Sequence, residues 1–144
     1  MIYLDSSSLL KLLWNEPESS AVIDAIAGEN AIVISVLAEM ETLVQLKAAY
    51  LGGDYALPQL RRFETQLSVL RNQPPYEFRT LPGTVFQTAL RQHRNASNAH
   101  CRAVDRLHLA AMEELKLTRL MTHDDRQAKA AIKAGFEIVR PGRD

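Results

Sequence analysis

The sequence predicts an α/β fold, with about five short and mainly parallel strands and helices on both faces of the sheet. Three observations predict it. Short apolar runs alternate with amphipathic stretches along the whole chain. The apolar runs read as strands covered on both faces, the pattern of a parallel sheet. A chain of 144 residues, 47% of them hydrophobic, can bury a real core as a single domain over 1–144.

The elements follow in order. Residues 2–4 form a short buried strand ending at Asp5. Ser6, Ser7 and Ser8 then offer N-caps for a helix through Leu9, Leu10, Leu12 and Leu13, which Glu16-Pro17-Glu18 breaks. A second helix carries Val22, Ile23, Ala25 and Ile26 and ends at Gly28. Ala31 to Ile34 is the next strand. Ser35 can cap a helix from Leu37 to Leu51, stopped by Gly52-Gly53. Leu57, Leu60, Phe63, Leu67 and Leu70 recur about one turn apart, so 55–70 is a helix that can form a hairpin with the one before it. After Pro74-Pro75 come a short strand over 77–81 and a helix from about 83 to 92. The polar stretch Asn95-Ala96-Ser97-Asn98 reads as a loop. A helix over roughly 102–116, a strand at 119–122, a helix over 126–134 closed by Gly135, and a last strand at 136–139 complete the chain.

Composition narrows the function. Seventeen Lys+Arg balance seventeen Asp+Glu, so nucleic-acid binding must come from a local patch rather than net charge. The single Cys101 has neither a disulfide partner nor metal-ligand spacing, which fits a reducing cytoplasm. The start of the chain reads as a strand rather than a signal peptide, and no apolar run approaches the ~20 residues of a transmembrane helix, so no membrane partner is expected.

Four acids sit where strand turns into helix or in the first turns of helices: Asp5, Glu41, Asp105 and Asp124. In an open parallel sheet these positions share the edge where ligands bind. Each has an ordinary reading too. Asp5 and Asp124 suit helix N-caps, Glu41 a solvent-facing helix residue, and Asp105 a surface pair with Arg102 or Arg106. Placed together they repel: two carboxylates about 4 Å apart cost roughly 4 kcal/mol at a protein surface. A hard divalent cation is the usual compensation.

At these residues the chain resembles the PIN-domain ribonucleases, especially the VapC-type toxins of toxin–antitoxin pairs. Ile2-Tyr3-Leu4-Asp5-Ser6-Ser7-Ser8-Leu9-Leu10-Lys11-Leu12 resembles their opening "hYLDTSALVKL". Ile34-Ser35-Val36-Leu37-Ala38-Glu39-Met40-Glu41 resembles "ISxLxxxE", which selects Glu41 over Glu39. Arg102 to Ala110 is similar to "xxxDxLHLA", and Leu120 to Arg126 to "LVTxDxR", which selects Asp124 over Asp125. Ser6 replaces the usual threonine, and His123 and Asp125 vary the last motif.

The resemblance implies a three-layer α/β/α PIN-like fold and hydrolysis of RNA by water activated with Mg²⁺ or, in its place, Mn²⁺, leaving a 5′-phosphate and a 3′-hydroxyl. It implies Asp5 and Asp105 as direct metal ligands, with Glu41 and Asp124 direct or through water. Ser7 matches the family's hydroxyl position, where it would bind a metal water or a phosphate; alternatively it is a helix cap. The resemblance also implies a VapB-like antitoxin partner and, with the surplus apolar residues, a homodimer. Candidate surfaces are Leu12, Leu13 and Trp14 and the helical pair from Leu37 to Leu70.

RNA contacts are sought in the basic run Arg91, His93, Arg94, His100, Arg102, Arg106 and His108, whose only acid is Asp105. Arg94, Arg102 and Arg106 are the leading candidates, with Lys11 at a family-like position; the ordinary reading of Lys11 is a surface lysine lying over apolar residues. His108 reads as structural, one turn after Asp105. Ser8-Leu9-Leu10-Lys11 fits the S-x-x-K pattern without its companion motifs. His123-Asp124 lacks the other histidines of an HD phosphohydrolase, and Ser7 stands where a haloacid-dehalogenase phosphatase needs a second aspartate. The alternatives to a ribonuclease are a non-catalytic PIN-like scaffold and a nuclease for single-stranded or flapped DNA. The intact acids argue against the first, and the absence of long insertions against the second.

Overall fold

The computed structural model describes residues 1–96 and 100–143. Five strands alternate with helices along the chain: β1 (Ile2–Leu4), α1 (Ser6–Leu13), α2 (Ser19–Ala27), β2 (Ile32–Ser35), α3 (Val36–Leu51), α4 (Leu57–Leu70), β3 (Tyr76–Arg79), α5 (Val85–Asn95), α6 (Ala103–Glu114), β4 (Arg119–Met121), α7 (Asp125–Lys133) and β5 (Glu137–Val139). The sheet order is β3-β2-β1-β4-β5. Every pairing is parallel, including those at both edges.

Alternating strand residues divide the core into two halves. Ile2 and Leu4 of β1, with Ile32, Ile34 and Met121, pack against Leu9, Leu13, Val22, Leu46, Leu60 and Phe63 from α1 to α4. Tyr3, Val33 and Leu120 point the other way, onto Val85, Ala89, Leu109, Met112 and Ala131 from α5 to α7. The result is three layers, α/β/α, as expected. The hairpin of α3 and α4 also forms, closed by Tyr55 on Phe63 and by the Tyr55 hydroxyl on the Leu46 carbonyl at 2.7 Å.

Two helices end in the same way. Behind α7, Gly135 takes φ 88°, the Phe136 amide donates to Ala131, and the Gly135 amide donates to Ile132. This double bond satisfies the last carbonyls and turns the chain into β5. Behind α6, Lys116 does the same at φ 57°, with Leu117 bonded to Met112 and Lys116 to Glu113. A side chain there is strained where glycine is not. Gly28, at the end of α2, has φ −90° and makes no use of that freedom.

Three details differ from expectation. Asp5, rather than one of the three serines after it, caps α1. Helix α5 runs one turn further, to Asn95, with His93 and Arg94 in a last turn whose carbonyls favour cations. The expected polar loop Asn95-Ala96-Ser97-Asn98 lies partly outside the described residues.

Candidate active site

The chain leaves β1 for β2 and β3 on one side, then returns to β4 and β5 on the other. The carboxyl ends of β1 and β4 therefore flank the point where strand order reverses, the place where open α/β sheets bind ligands. Asp5 follows β1 directly. Asp124 follows β4 after Thr122 and His123. Glu41 comes from the second turn of α3 and Asp105 from the first turn of α6. All four line one cavity of about 320 Å³, together with Ser6, Ser7, Gln45, Arg102 and His108. Glu39 instead pairs with Arg71, and Asp125 with Arg140, both outside this cavity. A larger cavity of about 560 Å³ involves Arg91, Gln92, Arg106, Glu113, Lys133 and Phe136. Its size is not a reason to prefer it, because it gathers cations around a single carboxylate.

Capping and site geometry coincide at two of the acids. Asp5 is 4% exposed. Its Oδ1 accepts the Ser8 amide at 3.1 Å and the Ser7 hydroxyl at 2.7 Å, and its Oδ2 accepts the Thr122 hydroxyl. Burial pushes its carboxyl above the ordinary value, outweighing the pull of His108 and of those three donors. Asp124 caps α7: its Oδ1 accepts the amides of Arg126 at 2.8 Å and Gln127 at 3.0 Å. Burial raises this carboxyl too, but the Gln127 and Arg126 amides and the Arg102 guanidinium together bring it below the ordinary value. The helix cap and the site member are thus one residue in each case.

Thr122 links the two acids, donating to Asp5 and accepting the Asp124 amide at 3.1 Å. Ser7 donates to Asp5 and accepts the His123 amide at 2.8 Å, so it orients a carboxylate rather than capping the helix.

Asp105 is 5% exposed and faces Arg102, whose Nε reaches Oδ2 at 2.9 Å and whose Nη2 reaches Oδ1 at 3.1 Å. The same Nη2 reaches Asp124 Oδ2 at 2.8 Å. Asp105 also accepts the Arg102 amide at 3.3 Å, which is half of a capping box; a guanidinium has no acceptor for the other half. Glu41 meets the Nε2 of the buried His108. The other ring nitrogen of His108 lies 2.7 Å from the Tyr3 hydroxyl, which lies 2.6 Å from Ser35 Oγ.

These contacts determine how the site fits a metal. Among the described residues, no three His, Cys, Asp or Glu side chains stand ready as a coordination cluster. Their oxygens are turned to Arg102, His108, Thr122 and Ser7 instead. The donor chemistry nevertheless suits a hard divalent cation: four carboxylates and a hydroxyl converge, with one guanidinium against them. Arg102 is 56% exposed at its side chain and has room to leave.

The basic candidates separate. Of Lys11, Arg94, Arg102 and Arg106, Arg102 is the one that lines the cavity of the four acids. It is the N-cap of α6 with extended backbone, so its side chain folds back over Asp105. Arg106, one position after Asp105, is rotated by about 100° around the helix. It is buried and lines the larger cavity, away from the four acids. Lys11 is 7% exposed, with Nζ held by Glu16 at 2.7 Å and Glu18 at 3.0 Å. Arg94 is exposed on the last turn of α5, outside the cavity, and Arg91 pairs with Glu113.

Several residues that matter here had no role in the sequence reading. Gln45 lies one turn beyond Glu41 in the same cavity, a spacing that could have found it. Thr122 is the hydroxyl of the "LVTxDxR"-like segment, two residues before Asp124. Gln127 ties α7 to α6, with its Nε2 3.3 Å from the Asp105 carbonyl. His123 is structural: Nε2 donates to the Pro141 carbonyl at 3.0 Å, Nδ1 accepts from Ser8 at 2.9 Å, and burial keeps its pKa low. These bonds leave neither ring nitrogen for a metal. They also occupy the hydroxyl of the Ser8-x-x-Lys11 decoy.

Comparison with known proteins places this geometry. The model of the PIN domain family matches residues 2–133. Ribonuclease VapC46 of Mycobacterium tuberculosis (strain ATCC 25618 / H37Rv) is 32% identical over 142 residues, spanning 97% of each chain. The crystal structure of the same organism's VapC20, a Sarcin-Ricin loop cleaving toxin, superposes with a TM-score of 0.72 at 17% identity, covering 98% of this chain and 100% of that one. VapBC2 from Rickettsia felis, bound to a DNA fragment from its promoter, gives a TM-score of 0.69 at 12% identity, covering 97% and 98%. At these identities the two structures speak for the fold alone.

Proposed function

This chain belongs to the PIN-domain family, and from that premise we propose that it is a toxin-type ribonuclease, hydrolysing RNA phosphodiester bonds with a divalent cation held by Asp5, Glu41, Asp105 and Asp124. The observation that carries the reading is the meeting of these four carboxylates in one cavity at the strand-order switch point. They arrive from four separate stretches of chain and from both faces of the sheet. A core needs no such convergence, and burying it uncompensated is unfavourable.

A divalent cation bound there supplies charge against the anionic phosphodiester and lowers the pKa of a water. Mg²⁺ suits the all-oxygen donor set, with Mn²⁺ an alternative. The chain's own residues do the rest. Ser7 and Thr122 fix the orientation of Asp5 from two sides, and the α7 amides fix Asp124. His108 fixes Glu41. Arg102 neutralises Asp105 and Asp124; a divalent cation held by those carboxylates would leave its guanidinium available to a phosphate.

A toxic ribonuclease needs restraint, and a VapB-like antitoxin is the partner we assign. The relation to ribonuclease VapC46 supports it, with VapBC2 sharing the fold. Of the surfaces expected to meet partners, Leu13 is core, and Leu12 and Trp14 are half-buried against it. The outer face of α3 keeps Val36, Met40 and Val44 about half exposed, one turn apart. We assign that stripe to the antitoxin or to a second copy of the chain. No described helix is long and apolar enough to cross a membrane, and we place the protein with its RNA in the cytoplasm.

The test is end-mapping of cellular RNA after brief expression. The wild type should create new 5′ ends at defined sites, and Asp5→Asn should not. Identical RNA ends in both would refute the reading.

A further inference from the structure

One buried chain of polar groups runs from the far side of the sheet to the candidate site. Tyr3 lies mid-β1 and is fully buried, yet its hydroxyl stands 2.6 Å from Ser35 Oγ and 2.7 Å from His108 Nδ1. The rings of Tyr3 and His108 also pack edge to face, with centroids 5.7 Å apart. Ser35 and His108 are themselves 0% and 2% exposed. The chain ends at Glu41, which meets His108 Nε2.

The direction of every bond follows from its ends. The Ala38 amide donates to Ser35 Oγ at 3.2 Å, and because the single Tyr3 proton is used on His108, the serine hydroxyl is the donor to Tyr3. The Tyr3 hydroxyl donates to His108 Nδ1. A carboxylate can only accept, so His108 Nε2–H donates to Glu41. Burial holds the Tyr3 phenol far above its ordinary pKa, and it stays a donor.

We propose that His108 is a positioning residue, and that Ser35 and Tyr3 lock its ring so that Nε2–H holds the Glu41 carboxylate in the orientation the divalent cation requires. This rests on the metal-site reading above. Glu41 is the acid most in need of such help. It sits mid-helix on a side chain with three rotatable bonds, whereas Asp5 and Asp124 are short side chains clamped by helix amides. Carboxylates that ligate a metal are ordinarily held by hydrogen-bonding partners behind them, and losing such a partner typically lowers metal affinity about 10–100-fold.

A space-filling role predicts something different. Leucine matches the volume of histidine and would serve as well in a core, whereas glutamine restores an N–H near the Nε2 position. The experiment titrates Mn²⁺ into metal-free wild type, His108→Gln, His108→Leu and Tyr3→Phe by calorimetry without RNA. Thermal unfolding of each metal-free protein is recorded alongside, together with ¹⁵N spectra of the His108 ring. The expected result is a loss of Mn²⁺ affinity of about tenfold or more in His108→Leu, with His108→Gln within about threefold of wild type. Tyr3→Phe should lose affinity in the same direction and change the His108 ring spectrum. If His108→Leu does not fold, Tyr3→Phe carries the test alone. Equal affinity in wild type, His108→Leu and Tyr3→Phe overturns the positioning role while leaving the metal site intact. Absence of Mn²⁺ binding by the wild type overturns the metal site and this role with it.

Discussion

Replacing Asp5 by asparagine should make the metal-free protein more stable and the metal-loaded protein less so. Asparagine caps a helix about as well as aspartate. The bonds from the Ser8 amide and the Ser7 hydroxyl to Oδ1 can therefore survive. On the other side, Thr122 can turn its hydroxyl to accept from the new amide. What changes is one negative charge, 4% exposed, in a cavity with three more acids. Removing it should stabilise the metal-free state by on the order of 1 kcal/mol or more. In the wild type, Mn²⁺ at about 100 times its Kd should add roughly 2.7 kcal/mol. For a chain of this size each kcal/mol raises Tm by about 3–4 °C, so the wild type should gain about 8–11 °C. Asp5→Asn should gain little at the same concentration. Thermal unfolding by circular dichroism, with and without Mn²⁺, reads both numbers. An Asp5→Asn protein less stable than wild type without metal, and shifted equally by Mn²⁺, would refute the reasoning.

Three further outcomes follow from the same structure. Arg102→Gln should bind Mn²⁺ about 2–5-fold more tightly by calorimetry, because it removes a tethered cation from Asp105 and Asp124; the exposure of Arg102 keeps the effect near that of a surface ion pair. Lys116→Gly should raise metal-free stability by about 0.5–1 kcal/mol in urea unfolding, because Lys116 occupies the left-handed position that Gly135 fills behind α7. The difference in stability between metal-free wild type and Asp5→Asn should depend on pH. The Asp5 carboxyl lies above its ordinary 3.8 in the fold, so the folded state binds the extra proton. The contribution of Asp5 is then greatest below 3.8 and is lost as pH rises through its folded value, and saturating Mn²⁺ should abolish that trend.

How far the sequence could be read depended on how local each signal was. Strands and helices come from runs of three to sixteen neighbours, and caps such as Ser35 from one residue and its next turn. Asp5 and Asp124 were ambiguous between cap and site because the position that caps a helix after a strand is also the position at the sheet edge. The choices of Glu41 and Asp124 came from motif spacing, and the cavity holds those two rather than Glu39 and Asp125. Charge partners were less legible. The sequence offers Lys11 as an RNA contact or a surface lysine over apolar residues and does not reveal that the turn after α1 brings Glu16 and Glu18 back onto it. Arg106 shared a basic run with Arg102, yet helical phase sends it to another cavity. The Tyr3–His108 bond joins residues 105 apart in sequence, and only the packing of α6 on β1 brings them together.

The most direct test of the account is cleavage of a mixed RNA by purified wild type and Asp105→Asn protein, with Mg²⁺ or with excess EDTA, and with the product ends identified. The account predicts cleavage by the wild type with Mg²⁺, yielding 5′-phosphates, and none in EDTA or by Asp105→Asn. Undiminished cleavage in EDTA, or by Asp105→Asn, would contradict it.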